Sequence, residues 1–322
     1  MQVVHAGSVG EIAWQARNAV LALGTLDGVH RGHQAILDRA CRTAVEHDGV
    51  PAALTFAQHP LEVVRPQEAP PLLTPLPLKL ALLEQAGMAA AVVLHFSPEL
   101  AALDAWEFVD AVLVRRLRVA GVSVGMDFGF GRGRKGNVEL LRSAADRYGF
   151  RLEVVAQVRV GDQVVSSRAI RTLLADGKLR EAQDLLGRPY CLAGVVQRGA
   201  GRGRQLGFAT ANLAVPTRGP LPDGVYAGRV LVRQTFRDAM MNLGRAPTFP
   251  DGERRLEIHL PGWEDPLYGE QLLVFFLTRL RDEQRFSDAD ALTRQLKNDQ
   301  AAAESAWRAS AGFPWPEWAL HL

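Results

Sequence analysis

Short apolar runs alternate with amphipathic ones along the first half of the chain. AVLALG (19–24), PAALTF (51–56), AAAVVLHF (89–96), VAGVSVG (119–125) and LEVVAQV (152–158) each have the length and composition of a buried strand. Between them, HQAILDRACRTAVEH (33–47) repeats Ile36, Leu37, Ala40, Ala44 and Val45 at helical spacing, and LDAWEFVDAVLVRRL (103–117) is a second helical stretch. Strands alternating with helices predict a mostly parallel sheet covered on both faces. The five prolines of PQEAPPLLTPLP (66–77) predict a long loop. After Tyr190 the pattern changes. CLAGVVQ, GVYAGRVLVR, RLEIHL and GEQLLVFFLTRL are β-rich and separated by Gly/Pro loops, and the next amphipathic helix falls at about 287–310. This predicts a small β-barrel with a C-terminal helix, joined to the first part by helical pieces at 167–175 and 178–187. The expected domains are 1–187 and 188–322.

A chain of 322 residues, 48% of them hydrophobic, supplies two cores. The net charge of +2 gives no bulk field for nucleic acid. Cys41 and Cys191 are the two cysteines, with neither disulfide nor zinc spacing, which suits a reducing compartment. The N-terminal MQVVHAGSVGEIAW has no basic region or long apolar run, so no signal peptide is expected. The longest near-apolar stretch, Ala86 to Phe96, is too short to cross a membrane. A soluble, cytoplasmic, monomeric protein is the expectation.

Chemistry-bearing residues cluster in two places. The first follows the first apolar run: Gly24-Thr25-Leu26-Asp27-Gly28-Val29-His30-Arg31-Gly32-His33, leading into a helix. A strand, a glycine turn and a helix N-terminus form an anion site, because free N–H groups and the helix dipole face the ligand. His30 and His33 suit donation to polyphosphate oxygens as charge builds during nucleotidyl transfer. A metal pair or an accidental surface couple would use the same residues. Gly131 to Gly136 formally matches GxGxxG, but it follows the fourth strand and is basic, so a solvated or phosphate-touching loop fits better than a nicotinamide site. GxxxxGK[ST] does not occur, which excludes a P-loop kinase.

The second cluster opens the β-rich part with Gly199-Ala200-Gly201-Arg202-Gly203-Arg204-Gln205-Leu206-Gly207-Phe208-Ala209-Thr210-Ala211-Asn212. Its amides and arginines would surround a phosphate, or form only a flexible basic loop. On RLEIHL, Glu257 and His259 share a face, as Thr210 and Asn212 do if their segment is extended. Solvent exposure from an edge strand is the plain alternative for the first pair.

The first motif, GTLDGVHRGH, resembles that of the HxGH nucleotidyltransferases, and more narrowly that of the bacterial bifunctional riboflavin kinase/FMN adenylyltransferases. TFAQHP (55–60), GMDFGFG (125–131) and VSSRAIR (165–171) resemble further motifs of that family in its order. In the β-rich part, GRQLGFATAN, Gly224-Val225-Tyr226-Ala227, Asn242-Leu243-Gly244, Pro247-Thr248-Phe249, Glu257-Ile258-His259, Leu267-Tyr268-Gly269 and Arg281-Asp282-Glu283 do the same. The resemblance implies a Rossmann-like domain that adenylylates FMN to FAD and a barrel that phosphorylates riboflavin to FMN, using ATP and Mg²⁺. By carry-over, Gly24, Asp27, His30, His33, Ser167 and Arg171 would bind ATP in the transferase, with Asp127 near the flavin phosphate or its metal. In the kinase Glu257 would be the base, and Arg204, Gly207, Asn242 and Arg281 would contact ATP or flavin. Thr210 and Asn212 would hold Mg²⁺ as hard oxygen ligands. Leu26 for phenylalanine, Gln58 for proline, Gly129 for arginine, Arg168 for threonine and Ala209 for proline depart from the family pattern. A kinase with a weakened transferase, or a non-catalytic flavin- or nucleotide-binding regulator, are the rival readings.

Overall fold

The computed structural model describes residues 1–198, 208–216, 218–245 and 254–310, with 315, 316 and 319. The chain divides into two compact units, Met1–Ser167 and Arg168–Leu322.

The first unit is a six-stranded parallel sheet in the order β1-β4-β3-β2-β5-β6. Its strands are β1 (Gln2–Ala6), β2 (Ala19–Leu23), β3 (Val50–Phe56), β4 (Ala90–Leu94), β5 (Val119–Gly125) and β6 (Arg151–Val155), and a separate two-stranded ribbon of β7 (Arg159–Val160) and β8 (Gln163–Val164) follows them. β2 and β4 are buried at every position, which is why they read as continuous apolar runs rather than alternating ones. α1 (Arg31–Glu46) follows β2 and buries Ile36, Leu37, Ala40 and Ala44, four of the five periodic positions; Val45 is 83% exposed. The later helices are α2 (Leu61–Val64), α3 (Leu76–Gln85), α4 (Pro98–Ala102), α5 (Ala105–Phe108) and α6 (Val138–Tyr148). The expected helix at 103–117 is α5, opened by an Asp104–Glu107 capping box, running into a π-helical segment Val109–Arg116. β1, α3 and α6 were not expected from the pattern. β1 lies on the sheet edge, paired to β4, and Gln2 and His5 interrupt MQVVHA, so it does not read as a continuous apolar run. The 66–77 segment is mostly irregular, as its prolines require, with a 3₁₀ turn at Pro66–Glu68 before α3 starts at Leu76.

The sheet reverses its direction of growth at β2. From β2 the chain adds β3 and β4 on one side, then returns to place β5 and β6 on the other. Ligands of open α/β sheets bind at the carboxyl ends of the strands flanking such a switch. Here those ends carry the 24–33 loop after β2 and the 126–137 loop after β5.

The second unit begins with α7 (Ser167–Ala175, its first residue shared with the first unit) and α8 (Leu179–Leu186), the two expected bridging helices. A closed antiparallel barrel follows in the order β10-β13-β12-β11-β14-β9. Its strands are β9 (Tyr190–Gln197), β10 (Thr210–Ala214), β11 (Gly224–Val232), β12 (Thr235–Arg245), β13 (Arg254–His259) and β14 (Gln271–Arg281). Leu213, Leu256 and Leu243 lie in register across β10, β13 and β12 and are buried. β12 escaped the pattern because TFRD begins it with exposed polar positions, although MMNLG continues it. The C-terminal helix α9 (Ala289–Ala309) is capped by Asp288, whose carboxylate accepts from Ala291 N.

One ion pair fixes α9 to the barrel. The Arg281 guanidinium donates through Nε and one terminal nitrogen to Asp299, at 2.7–3.0 Å, and through the other to the Asp282 carbonyl. Asp299 is 3% exposed and also accepts from Gln295. Arg281→Met should therefore lower stability by about 3–5 kcal/mol, because a buried carboxylate loses its countercharge. Arg281→Met/Asp299→Leu should recover most of that loss. Urea unfolding followed by circular dichroism measures both; equal losses in the single and double variants would refute the pairing argument.

Candidate functional sites

Buried apolar side chains set the shape of the loop after β2. Leu26 and Val29 are 1% and 2% exposed, and both hold positive φ, +50° and +39°, alongside Gly28 at +95°. Positive φ costs a β-branched residue like Val29 most, so the surrounding structure over-determines this conformation. Leu26, where the family pattern has Phe, is thus part of the core beneath the loop.

Asp27 points inward. Its carboxylate accepts from Leu73 N, Thr74 N and Thr74 Oγ1 at 3.0–3.2 Å, while Thr74 Oγ1 accepts from Gly28 N. Its own carbonyl accepts from Ser167 Oγ at 2.8 Å. Beneath the same loop lies Lys79 of α3, 3% exposed. Its ammonium donates to the Thr25 carbonyl (3.1 Å), Thr55 Oγ1 (3.2 Å) and the Phe56 carbonyl (2.8 Å). Burial pushes this lysine down to about 8, with the nearby Asp27 charge pulling it back up. Lys79 carries no signal in the amino-acid pattern, because α3 follows a proline-rich stretch and is not legible there.

The two histidines stack, with ring centroids 3.6 Å apart and planes 16° from parallel. His30 is the N-cap of α1, and its Nδ1 accepts from His33 N at 3.3 Å. An accepting Nδ1 leaves the neutral-ring proton on Nε2, which makes His30 a donor through that atom. Gly32 leaves room for this packing: a Cβ there would stand 3.2 Å from the His30 ring. Gly24 follows β2, and its N–H donates to the Leu54 carbonyl. Ser167 reaches this loop, and Arg171 lies one turn further along the same helix.

The loop after β5 is rigid and basic. Phe130 and Gly136 exchange both backbone hydrogen bonds, and Arg132 N donates to the Leu103 carbonyl. Asp127 is exposed and accepts from Gln157. Arg134 adopts φ +56°. Its guanidinium lies over Gly129, so that a Cβ at 129 would meet it at 2.9 Å. A cation therefore stands beside the position from which the family pattern's arginine is missing. Gln58, another departure, exchanges hydrogen bonds with the Phe96 backbone and ties the end of β3 to that of β4.

In the barrel, register joins residues that the sequence held apart. Asn212 of β10 lies opposite Glu257 of β13, and Glu257 lies opposite Asn242 of β12. Opposed residues of antiparallel strands share a face, so these three side chains form one lateral row. Thr210 lies opposite His259 one step along. His259 Nδ1 donates to the Ala209 carbonyl at 2.9 Å, fixing the backbone just before Thr210. Asn212 is 6% exposed and Thr210 is open to solvent. Asn242 Nδ2 donates to Glu283 at 3.3 Å; burial raises that carboxyl above its ordinary range despite the hydrogen bond. Arg281 has Val225 as its β11 partner, so register sets it beyond Asn242, and its guanidinium turns to Asp299. Arg204 and Gly207, with Pro247-Thr248-Phe249, lie outside the described residues.

The donor set of this row and the neighbouring Thr210 is oxygen, from two asparagine amides, a carboxylate and a threonine hydroxyl, which fits Mg²⁺. Among the described residues no group of three or more His, Cys, Asp or Glu side chains could hold a metal ion. With Thr210 and Asn212 as two oxygen ligands, a Mg²⁺ bound here would take its remaining ligands from phosphate and water. Among the described residues no helix is long and apolar enough to cross a membrane.

Known proteins match this arrangement along nearly its full length. The family model for FAD synthetase matches residues 12–169 and that for riboflavin kinase residues 186–307. A bifunctional riboflavin kinase/FMN adenylyltransferase of Pseudomonas fluorescens is 39% identical over 297 residues, covering 90% of this chain and 93% of its own. Proteins of the same description from Escherichia coli K12 and Bacillus subtilis 168 are 36% and 33% identical, covering 88% of this chain and 91% of their own. A crystal structure described as a macrolide-efflux protein from Streptococcus pneumoniae superposes with a TM-score of 0.83 at 29% identity, covering 94% of this chain and 99% of its own. With a doubly wound α/β unit, an antiparallel barrel and relatives covered almost end to end, this chain belongs to the bifunctional riboflavin kinase/FMN adenylyltransferase family.

Proposed function

We propose that the first unit adenylylates FMN at the β2/β5 switch and that the barrel phosphorylates riboflavin along the Asn212–Glu257–Asn242 row. The observation that carries this reading is the register, which sets a carboxylate between two amides on adjacent strands. A non-catalytic regulator has no use for that arrangement.

In the kinase reaction Glu257 accepts the proton of the riboflavin primary hydroxyl as its oxygen attacks the γ-phosphorus of ATP, and ADP leaves. Mg²⁺, held by Thr210 and Asn212 together with the phosphates, would neutralise the charge on the transferred group. His259 positions Thr210 through the Ala209 carbonyl. Arg204 and Gly207 keep the phosphate-loop role that the family resemblance gives them. Arg281 acts through α9 rather than on the nucleotide, in keeping with its Asp299 pair.

In the transferase reaction an FMN phosphate oxygen attacks the α-phosphorus of ATP and pyrophosphate leaves. The attacking oxygen is already anionic, so positioning and neutralisation suffice. His30 Nε2–H and His33 would donate to the charge that develops on the leaving pyrophosphate, with Gly24 supporting the turn; the family resemblance assigns the triphosphate to Ser167 and Arg171. Asp27 serves by holding the loop, since its carboxylate accepts from Leu73 and Thr74. Asp127 and Arg134 flank the flavin phosphate. All substrates are small and water-soluble, which supports a cytoplasmic enzyme that needs no membrane or nucleic acid.

Purified chain incubated with riboflavin, ATP and Mg²⁺ should yield FMN and then FAD, resolved by chromatography. Glu257→Gln should lower FMN formation roughly 10²-fold or more while adenylylation of supplied FMN continues; equal loss of both would give Glu257 a structural role instead.

The histidines predict the reverse pattern. His30→Ala or His33→Ala should reduce FAD formation by a factor matching about 2–4 kcal/mol, with riboflavin phosphorylation unchanged. Undiminished FAD formation in both variants would move the nucleotide site elsewhere.

For the second loop, Arg134→Ala should slow adenylylation about tenfold, the worth of one partly solvated charge-assisted hydrogen bond. Gly129→Arg should bring no gain, because Arg134 already occupies the adjoining space. Faster FAD synthesis in Gly129→Arg would show that the missing arginine had not been replaced.

A further inference from the structure

We propose that Lys79 is a positioning residue for adenylyl transfer, its ammonium holding the loop that carries His30 and His33 in its working shape. This inference rests on the transferase reading of the first unit.

Three features of the site support it. First, donors and acceptors match. An ammonium has three N–H donors, and Lys79 directs one each to the Thr25 carbonyl, Thr55 Oγ1 and the Phe56 carbonyl. Thr55 Oγ1 in turn donates to the Thr25 carbonyl at 2.9 Å, which closes a small buried network. Second, the network joins the ends of two parallel strands, since Thr25 follows β2 and Thr55 and Phe56 end β3. Those ends define the crevice at the switch. Third, the loop above is held in an unfavourable conformation, with Leu26 and Val29 at positive φ. A strained loop depends on its anchors.

A neutral amine has two donors, so deprotonation of Lys79 releases one of the three acceptors. Among the described residues Asp27 is the charged group acting on Lys79, and it braces the same loop from the other side through Leu73 and Thr74. Losing the ammonium also removes a positive charge that acts on that buried carboxylate. Because burial lowers Lys79 from 10.5 to about 8, this change falls within a range where the enzyme can be assayed.

Stability and activity should then move in opposite directions. The folded pKa lies below the unfolded one, so between about 8 and 10.5 the unfolded chain binds more protons. Relative to Lys79→Met, the wild-type chain gains stability as pH rises through that window, and loses it as pH falls through about 8. Adenylyl transfer, which needs the ammonium, should fall over the same window. A group that only supported the fold would make activity follow stability.

The experiment measures FAD formation from FMN and ATP with Mg²⁺ from about pH 6.5 to about pH 9.5, with riboflavin phosphorylation by the same chain as the internal reference. In the wild type the ratio of transferase to kinase rate should fall up to about tenfold per pH unit above about 8. Lys79→Met should give a ratio at least about tenfold lower at neutral pH, and a flat profile. Thr55→Val removes one acceptor and retains the charge, so its midpoint should shift to lower pH; this variant tests the inference even if Lys79→Met does not fold. A folded Lys79→Met with the wild-type profile, or a Thr55→Val midpoint equal to that of the wild type, overturns the role of Lys79 and leaves the transferase reading standing. A wild-type chain with kinase activity and no FAD formation at any pH overturns both.

Discussion

The buried charges beneath the 24–33 loop are the constraint on which the first unit's site depends. Asp27 and Lys79 are 2% and 3% exposed, and charges at that depth persist only where hydrogen bonds satisfy them. Asp27 takes the backbone donors of Leu73 and Thr74, and Lys79 takes the backbone acceptors at Thr25 and Phe56. Together they attach a proline-rich segment to the ends of β2 and β3. The stacked histidines at the start of α1 are held on that foundation, at the one place where the sheet reverses direction.

The barrel solves a different problem. Closure removes exposed strand edges and fixes the register of neighbouring strands, and register brings Asn212, Glu257 and Asn242 together. Apolar residues at alternate positions hold it: a slip of one residue on β13 would bring Leu256 and Ile258 to the polar face and bury Glu257. The Arg281–Asp299 pair contributes from outside by fixing α9 against the barrel. The two units thus use contrasting devices, a braced loop at strand ends and a row across strands.

Departures from the family pattern make sense as local replacements. Leu26 fills the core beneath its loop, Gln58 substitutes side-chain hydrogen bonds for a proline's rigidity, and the Arg134 guanidinium stands where Gly129 leaves room. Each exchanges one means of fixing a backbone or placing a charge for another, which is why the motifs diverge while the architecture persists. Nothing in the structure explains Arg168 in place of threonine.

The sequence by itself determined the fold class and marked the two candidate chemical centres. Buried parallel strands must be continuously apolar, a helix beside them must repeat its apolar positions, and a glycine turn at a helix N-terminus must expose N–H groups. These are local rules, so β2 to β6, α1, the bridging helices and the histidine motif were legible. Weakly patterned elements were not: β1 is short and interrupted by His5, and α3 begins inside a proline-rich stretch. The tertiary structure alone decided what depends on contact between distant residues. It turned Asp27 inward, directed Arg281 to Asp299, laid Arg134 over Gly129, and put Lys79 beneath a loop 54 positions away in the chain. The physical reason is that a side chain's charge and hydrogen bonds act over a few ångströms of space, and separation along the chain does not record that distance.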